Sequence, residues 1–218
     1  MLIQLQKKNQ YKYLLQKFQN KKSDILIGTQ MVSKGFNFHN VTLVGVINSD
    51  IGLFTPDFRS GERIFQLLYQ VCGRSGRGKK SGKAIIQTFN SSDPYIDCAT
   101  MMDTKKYYNI SLADRLNLNY PPFSKVIRII LKGSKLALVE KSSYMVHSMI
   151  KNKHFEILGP TLAPIEKINN NYRFHIIIKT KKPYQFQDLY LNNTKLRRYL
   201  SSLKGVSYSI DVDPISLL

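Results

Sequence analysis

Three short apolar runs separated by helical stripes restrict the first hundred residues of this chain to a layered α/β structure. The runs are Asp24 to Gly28, Val41 to Ile47 and Ala84 to Phe89. Each has strand length and is apolar at consecutive positions, as expected of a strand covered on both faces. Between them, Thr29 to Lys34 reads as a helical turn, and Ser60 to Val71 carries Ile64, Phe65, Leu67, Leu68 and Val71 at helical spacing. Ahead of them, Tyr11, Leu14, Leu15 and Phe18 mark an amphipathic helix ending near Asn20. Strands and helices that alternate at these lengths pair into a parallel sheet through right-handed crossovers.

A helical stretch from about Asp93 to Leu118 then leads into Tyr120-Pro121-Pro122, where paired prolines stop a helix and mark a boundary. Beyond it the pattern is a strand (Lys125 to Lys132), a helix (Lys135 to about Lys151), strands at Phe155 to Leu158 and Tyr172 to Thr180, a helix around Asp188 to Leu203, and a strand (Val206 to Val212). The order β-α-β-β-α-β predicts a ferredoxin-like split βαβ domain. The expected organisation is therefore an α/β lobe over 1–92, a helical connector over 93–120 and a smaller α+β domain over 121–218.

No apolar run approaches the length of a membrane span, and the first residues lack the apolar segment and cleavage site of a secretory signal, so a cytoplasmic protein is expected. Cys72 and Cys98 are too few and too far apart for a zinc knuckle. The charge is more telling: 33 Lys and Arg against 14 Asp and Glu give a net charge of +19. Such an excess is the electrostatic mark of a polyanion binder, with nucleic acid the leading candidate. Compositional drift towards Lys, Asn, Ile and Tyr would also raise the Lys count, but it would favour Glu and Asp too, and these are scarce.

Two segments carry chemistry. Gln70-Val71-Cys72-Gly73-Arg74-Ser75-Gly76-Arg77-Gly78 leaves a helix just before a strand. Its two arginines, three residues apart and freed from crowding by glycines, can aim two permanently charged forks at one phosphate, and such a fork stabilises charge on a transferring γ-phosphoryl group. Alone, the segment reads equally well as a basic Gly-rich turn. Gly28-Thr29-Gln30-Met31-Val32-Ser33-Lys34-Gly35 follows a predicted strand, at the sheet edge where α/β proteins bind ligands. Thr29 offers a hydroxyl there and Lys34-Gly35 adds charge and close approach. The run Gly73 to Lys80 nearly spells a P-loop, but Lys80 replaces the magnesium-binding hydroxyl, and the loop runs from helix to strand rather than from strand to helix.

Taken together, these segments resemble motifs V and VI of superfamily-two helicases. The collinear run over 28–38, 41–90, 118–128, 158–167 and 209–218 resembles the primosomal protein N-prime family of replication-restart DNA helicases. The resemblance covers nearly the whole chain. It implies a RecA-like second motor lobe followed by the family's C-terminal domain, in a 3′ to 5′ ATP-dependent helicase that acts in primosome assembly at stalled forks. By the same resemblance Arg74 and Arg77 would meet the γ-phosphate and Gln70 would sit near the nucleotide. Gly73, Gly76 and Gly35 would line the nucleotide site, while Thr29, Gln30 and Lys34 would couple it to the DNA backbone. Asp50, Asp57, Arg59 and Glu62 fall in the family's linking segment without an individual role. The chain departs from the family pattern at Phe36-Asn37, usually a His-Asp or similar pair, and at Cys72, usually a small residue.

With no P-loop and no Asp-Glu pair for magnesium, ATP and Mg2+ are expected to be shared with a first lobe outside this sequence, and the chain is not expected to hydrolyse ATP alone. Zinc, in the family, is bound upstream of this region. Implied partners are forked and single-stranded DNA, primosome proteins and single-stranded DNA-binding protein, with no membrane. Within the second domain, Lys125, Arg128, Lys132 and Lys135 form one basic region, and Lys179, Lys181, Lys182, Lys195, Arg197, Arg198 and Lys204 form another. Tyr172, Phe174, Tyr184, Phe186, Tyr190 and Tyr199 are interleaved and could stack on bases, about half being expected in packing instead. A non-catalytic protein that binds branched DNA, or an adaptor for primosome proteins, remains the alternative.

Overall fold

The computed structural model describes residues 8–29, 41–73 and 82–218, and the chain divides into two compact units. The first comprises residues 1–55 and 60–109, the second residues 56–59 and 110–218, so the chain crosses between them three times.

In the first unit, α1 spans Lys8–Gln19 and β1 spans Leu43–Val46. A 3-10 turn at Ser49–Gly52, helix α2 at Ser60–Cys72, β2 at Lys83–Ile86 and α3 at Pro94–Thr100 follow. Helix α4, Thr104–Asn117, begins in this unit and ends in the second. Strands β1 and β2 pair in parallel, Val44 opposite Ala84, as the alternation of strand and helix requires. Helix α2 forms because Ile64, Phe65, Leu68 and Val71 recur along one face, and all four are buried. Phe65 stacks on Tyr107 with centroids 3.8 Å apart, and Tyr95 meets Tyr107 edge-on at 6.2 Å. Gly61, in the first turn of α2, is required by this packing: a Cβ there would lie 2.7 Å from the Tyr95 ring.

Three expectations differ from what forms in this unit. Strands β1 and β2, expected to be covered on both faces, alternate exposed and half-buried residues, with Leu43 and Ile85 exposed. The run Asp24 to Gly28 carries no strand pairing, and Ile25 and Ile27 are exposed. The helical stretch expected from about Asp93 to Leu118 forms as two helices parted at Met101–Asp103, where Met102 takes φ 54°. Asp93 caps α3 by accepting from the N–H groups of Tyr95 and Ile96, and Asp103 accepts from Lys106 N at the start of α4.

The second unit is built on β3 (Lys125–Gly133), α5 (Leu136–Ile150), β4 (Glu156–Ile168), β5 (Asn171–Thr180), α6 (Pro183–Asn192), α7 (Thr194–Ser202) and β6 (Ser207–Val212). Its sheet is antiparallel in the order β4-β5-β3-β6. Alternate residues of the central strands, Ile127, Ile129 and Leu131 on β3 and Phe174, Ile176 and Ile178 on β5, bury against the helices. From the helices come Val139, Val146 and Ile150 of α5, Phe186 of α6, and Leu196 and Leu200 of α7. Each such aliphatic side chain contributes about 1.5–3 kcal/mol by burial. Gly133 closes the end of β3, where a Cβ would run into the Gly205 carbonyl. The helix expected over 188–203 is two helices, because Pro183 opens α6 and Asn193 ends it while capping α7 through Leu196 N at 2.9 Å.

Candidate functional site

In the first unit the two parallel strands end together, and the residues that follow them are locked to each other. Ser49 donates to the Gln87 carbonyl through both its N–H and its hydroxyl, each at 3.1 Å. The Asp50 carboxylate accepts from the Thr88 hydroxyl at 2.7 Å and from Phe89 N–H at 2.9 Å. Phe89 N–H and the Thr88 hydroxyl together pull the Asp50 carboxyl below the ordinary aspartate range. The C-terminal edge of the sheet, where ligands of α/β folds bind, is therefore held rigid by a residue the sequence marked only as part of a linking segment.

Helix α2 carries the beginning of the arginine motif. Gln70 is exposed on its last turn, and Gly73 ends it by donating N–H to the Tyr69 carbonyl at 3.0 Å. A Cβ at Gly73 would come within 3.2 Å of that same carbonyl, so glycine suits the tight exit. Arg74, Gly76 and Arg77 lie outside the described residues, as do Gln30, Lys34 and Gly35. Thr29 is described and exposed. At the other end of α2, Glu62 accepts a hydrogen bond from Gln66 at 3.0 Å.

In the second unit a small hub gathers residues far apart in sequence. The Asp57 carboxylate accepts from Arg59 N–H at 2.9 Å, the Ser216 hydroxyl at 3.1 Å and Leu217 N–H at 3.1 Å. The Arg59 guanidinium donates to the carbonyls of Pro214 and Ile215. Phe58 stacks on Tyr120 at 4.7 Å, with the guanidiniums of Arg59 and Arg115 over its ring at 4.7 and 5.3 Å. Asp57 and Arg59 thus have defined roles as the clasp on residues 214–217. Sequence reasoning missed Phe58, Arg115 and Tyr120, whose only signal was the aromatic beside the paired prolines.

The basic regions hold both buried and exposed cations. Arg128 is buried and donates to the Leu218 carbonyl at 2.9 Å, and Lys125 pairs with Asp213 at 2.6 Å. Lys179 is 5% exposed, pairs with Glu156 at 2.5 Å and donates to the Leu118 carbonyl at 2.8 Å, with the Tyr120 ring 4.6 Å away. Arg128 and Lys179 are buried and serve the fold, whereas Lys125, though paired, is exposed, as are Lys132, Lys135, Lys181, Lys182, Lys195, Arg197, Arg198 and Lys204. Among the interleaved aromatics Phe174 and Phe186 are core, Tyr190 and Tyr199 pack against it, and Tyr184 is exposed. His175 is buried, and its burial together with the charges of Arg128 and Arg173 holds its pKa below the ordinary imidazole value. No helix among the described residues is long and apolar enough to cross a membrane.

Comparison with known proteins matches both units. Residues 3–79 match the helicase conserved C-terminal domain, and residues 117–215 match the primosomal protein N C-terminal domain. A helicase C-terminal lobe joined to a primosomal C-terminal domain is the class these matches define. The chain belongs to the replication restart protein PriA family and corresponds to its C-terminal region. It is 42% identical to Replication restart protein PriA of Borreliella burgdorferi over 207 residues, which are 94% of this chain and 31% of that protein. The PriA of Bacillus subtilis is 36% identical over 97% of this chain and 27% of its own length. That of Treponema pallidum is 34% identical over 94% of this chain and 31% of its own length. The chain thus spans less than a third of the length of these relatives.

Proposed function

We propose that the chain supplies the second, RecA-like motor lobe and the C-terminal domain of a 3′ to 5′ ATP-dependent DNA helicase acting in replication restart and primosome assembly. The observation that carries this is the order of the two family matches along one chain, together with relatives named for replication restart aligned over more than nine-tenths of it. The parallel pairing of β1 and β2 supports the RecA-like reading of residues 1–92. The β-α-β-β-α-α-β order and the β4-β5-β3-β6 arrangement support a ferredoxin-like reading of residues 121–218, with 93–120 as connector.

Mechanistically, Arg74 and Arg77 neutralise the γ-phosphate, with Gln70 and the glycines Gly73, Gly76 and Gly35 around the nucleotide. Thr29, Gln30 and Lys34 contact the DNA backbone, so that a change at the nucleotide alters the grip on one strand. The exposure of Thr29 and Gln70 and the tight glycine exit of α2 suit these tasks. Binding energy and permanent charge are what this region contributes, while a P-loop lobe supplies the remaining contacts to ATP and Mg2+. Forked and single-stranded DNA, primosome proteins and single-stranded DNA-binding protein are the partners the family reading assigns.

Reconstitution tests the proposal. Combining this chain with the P-loop lobe of one of the PriA relatives should produce ATP hydrolysis stimulated by single-stranded DNA, well above either part alone. No gain on combination, with both parts folded, would refute the motor role and leave a non-catalytic DNA-binding protein, the reading favoured by the net charge of +19 alone.

A further inference from the structure

A cavity of about 310 Å³ opens on the second unit, lined among others by Asn119, His154, Glu156, Lys179, Lys181 and Lys182. Its one acidic residue is already neutralised. Glu156 pairs with Lys179 at 2.5 Å through one carboxylate oxygen and accepts from Asn119 at 3.4 Å through the other. Lys179 is fixed further by the Leu118 carbonyl, so this pair forms a rigid and electrically closed part of the lining. Lys181 and Lys182 are exposed, and neither pairs with a carboxylate among the described residues. Three lysines against one glutamate leave the cavity positive. The backbone carrying these lysines is itself held, since Lys182 N–H donates to the buried Thr180 hydroxyl at 3.1 Å.

From this arrangement we infer that the cavity is a phosphate site for one strand of unpaired nucleic acid, engaged by Lys181 and Lys182. Its volume lies at the low end of small-ligand pockets, about 300–1,000 Å³, which suits a phosphate with its sugar. The segment that bears the two lysines continues into Tyr184, 55% exposed at the start of α6, and an exposed aromatic beside a phosphate contact is the usual means of holding an unpaired base. The inference rests on the proposal that this chain engages DNA, and it assigns that engagement to a location.

The experiment is a salt titration of binding to a fluorescent single-stranded oligothymidylate by the 218-residue chain. Lys181→Ala/Lys182→Ala is compared with Lys105→Ala/Lys141→Ala, which removes two exposed lysines outside the cavity and outside both basic regions. Each single-strand phosphate contact contributes about 0.7 to the logarithmic salt slope, so the cavity variant should lose about 1.4 and bind roughly tenfold or more weakly near 0.1 M salt. The control should change by much less. Equal losses in the two variants would overturn the cavity as the site while leaving DNA binding intact. No binding by the unaltered chain would overturn the DNA-engaging proposal and this inference with it. Inorganic phosphate at matched ionic strength should not displace the oligonucleotide at millimolar concentration, and full displacement would identify free phosphate as the ligand instead.

Discussion

The carboxylate of Asp57 accepts the backbone N–H of Leu217 at 3.1 Å across 160 positions of sequence. Asp57 is 6% exposed and receives two further donors, Arg59 N–H and the Ser216 hydroxyl. Asp57→Ala would leave two backbone N–H groups without their acceptor, a loss of roughly 2–4 kcal/mol. Hydrogen exchange at Leu217 should therefore accelerate in the variant while exchange in the β3–β5 core is little changed. Unaltered protection at Leu217 would show that the clasp is held by other groups.

Asp50 predicts an acid limb of stability in the first unit. Its folded pKa is lowered by the Phe89 N–H and the Thr88 hydroxyl, so the ionised form stabilises the folded state above the unfolded value of about 3.9. That contribution is lost as pH falls from there through the folded pKa. Asp50→Asn should flatten the fall in melting temperature below pH 4, and an unchanged acid limb would remove Asp50 from the account.

His175 acts in the same direction at higher pH. Burial first, and then Arg128 and Arg173, depress its pKa, so the folded state resists a proton that the unfolded chain takes up near pH 6.5. Stability of the second unit should be constant above that pH and decline below it. Nδ1 of His175 has no hydrogen-bond partner among the described residues, so His175→Leu forfeits no bond there and should remove the decline between pH 6.5 and 5.5. Melting curves of the two proteins across that range provide the check.

The readable parts of this chain were those fixed by local pattern. Apolar periodicity located β1, α2 and β2, and the strand-helix order of the second unit matched its central elements. Helix breaks were misjudged where a polar cap interrupts an otherwise helical pattern: Asp103 and Asn193 each start a new helix, and Pro183 opens one, all signals present in the sequence. Burial of charge was not readable, because it depends on partners remote in sequence. Lys179 looked like its exposed neighbours Lys181 and Lys182 until β4 brought Glu156 beside it, and Arg59 showed its role only when residues 214 and 215 returned to it. Of the residues assigned to nucleotide or DNA, Thr29, Gln70 and Gly73 fall within the described structure, while Gln30, Lys34, Gly35, Arg74, Gly76 and Arg77 lie outside it.

The proposed action of Arg77 on the γ-phosphate is measured most directly as DNA-stimulated ATP turnover by Arg77→Ala in the reconstituted two-lobe protein. Turnover should fall on the order of 10³-fold or more, the range for removing an arginine from a transferring phosphoryl group, while oligonucleotide affinity is retained. Full turnover by Arg77→Ala, with the protein folded and DNA-bound, would contradict the assignment.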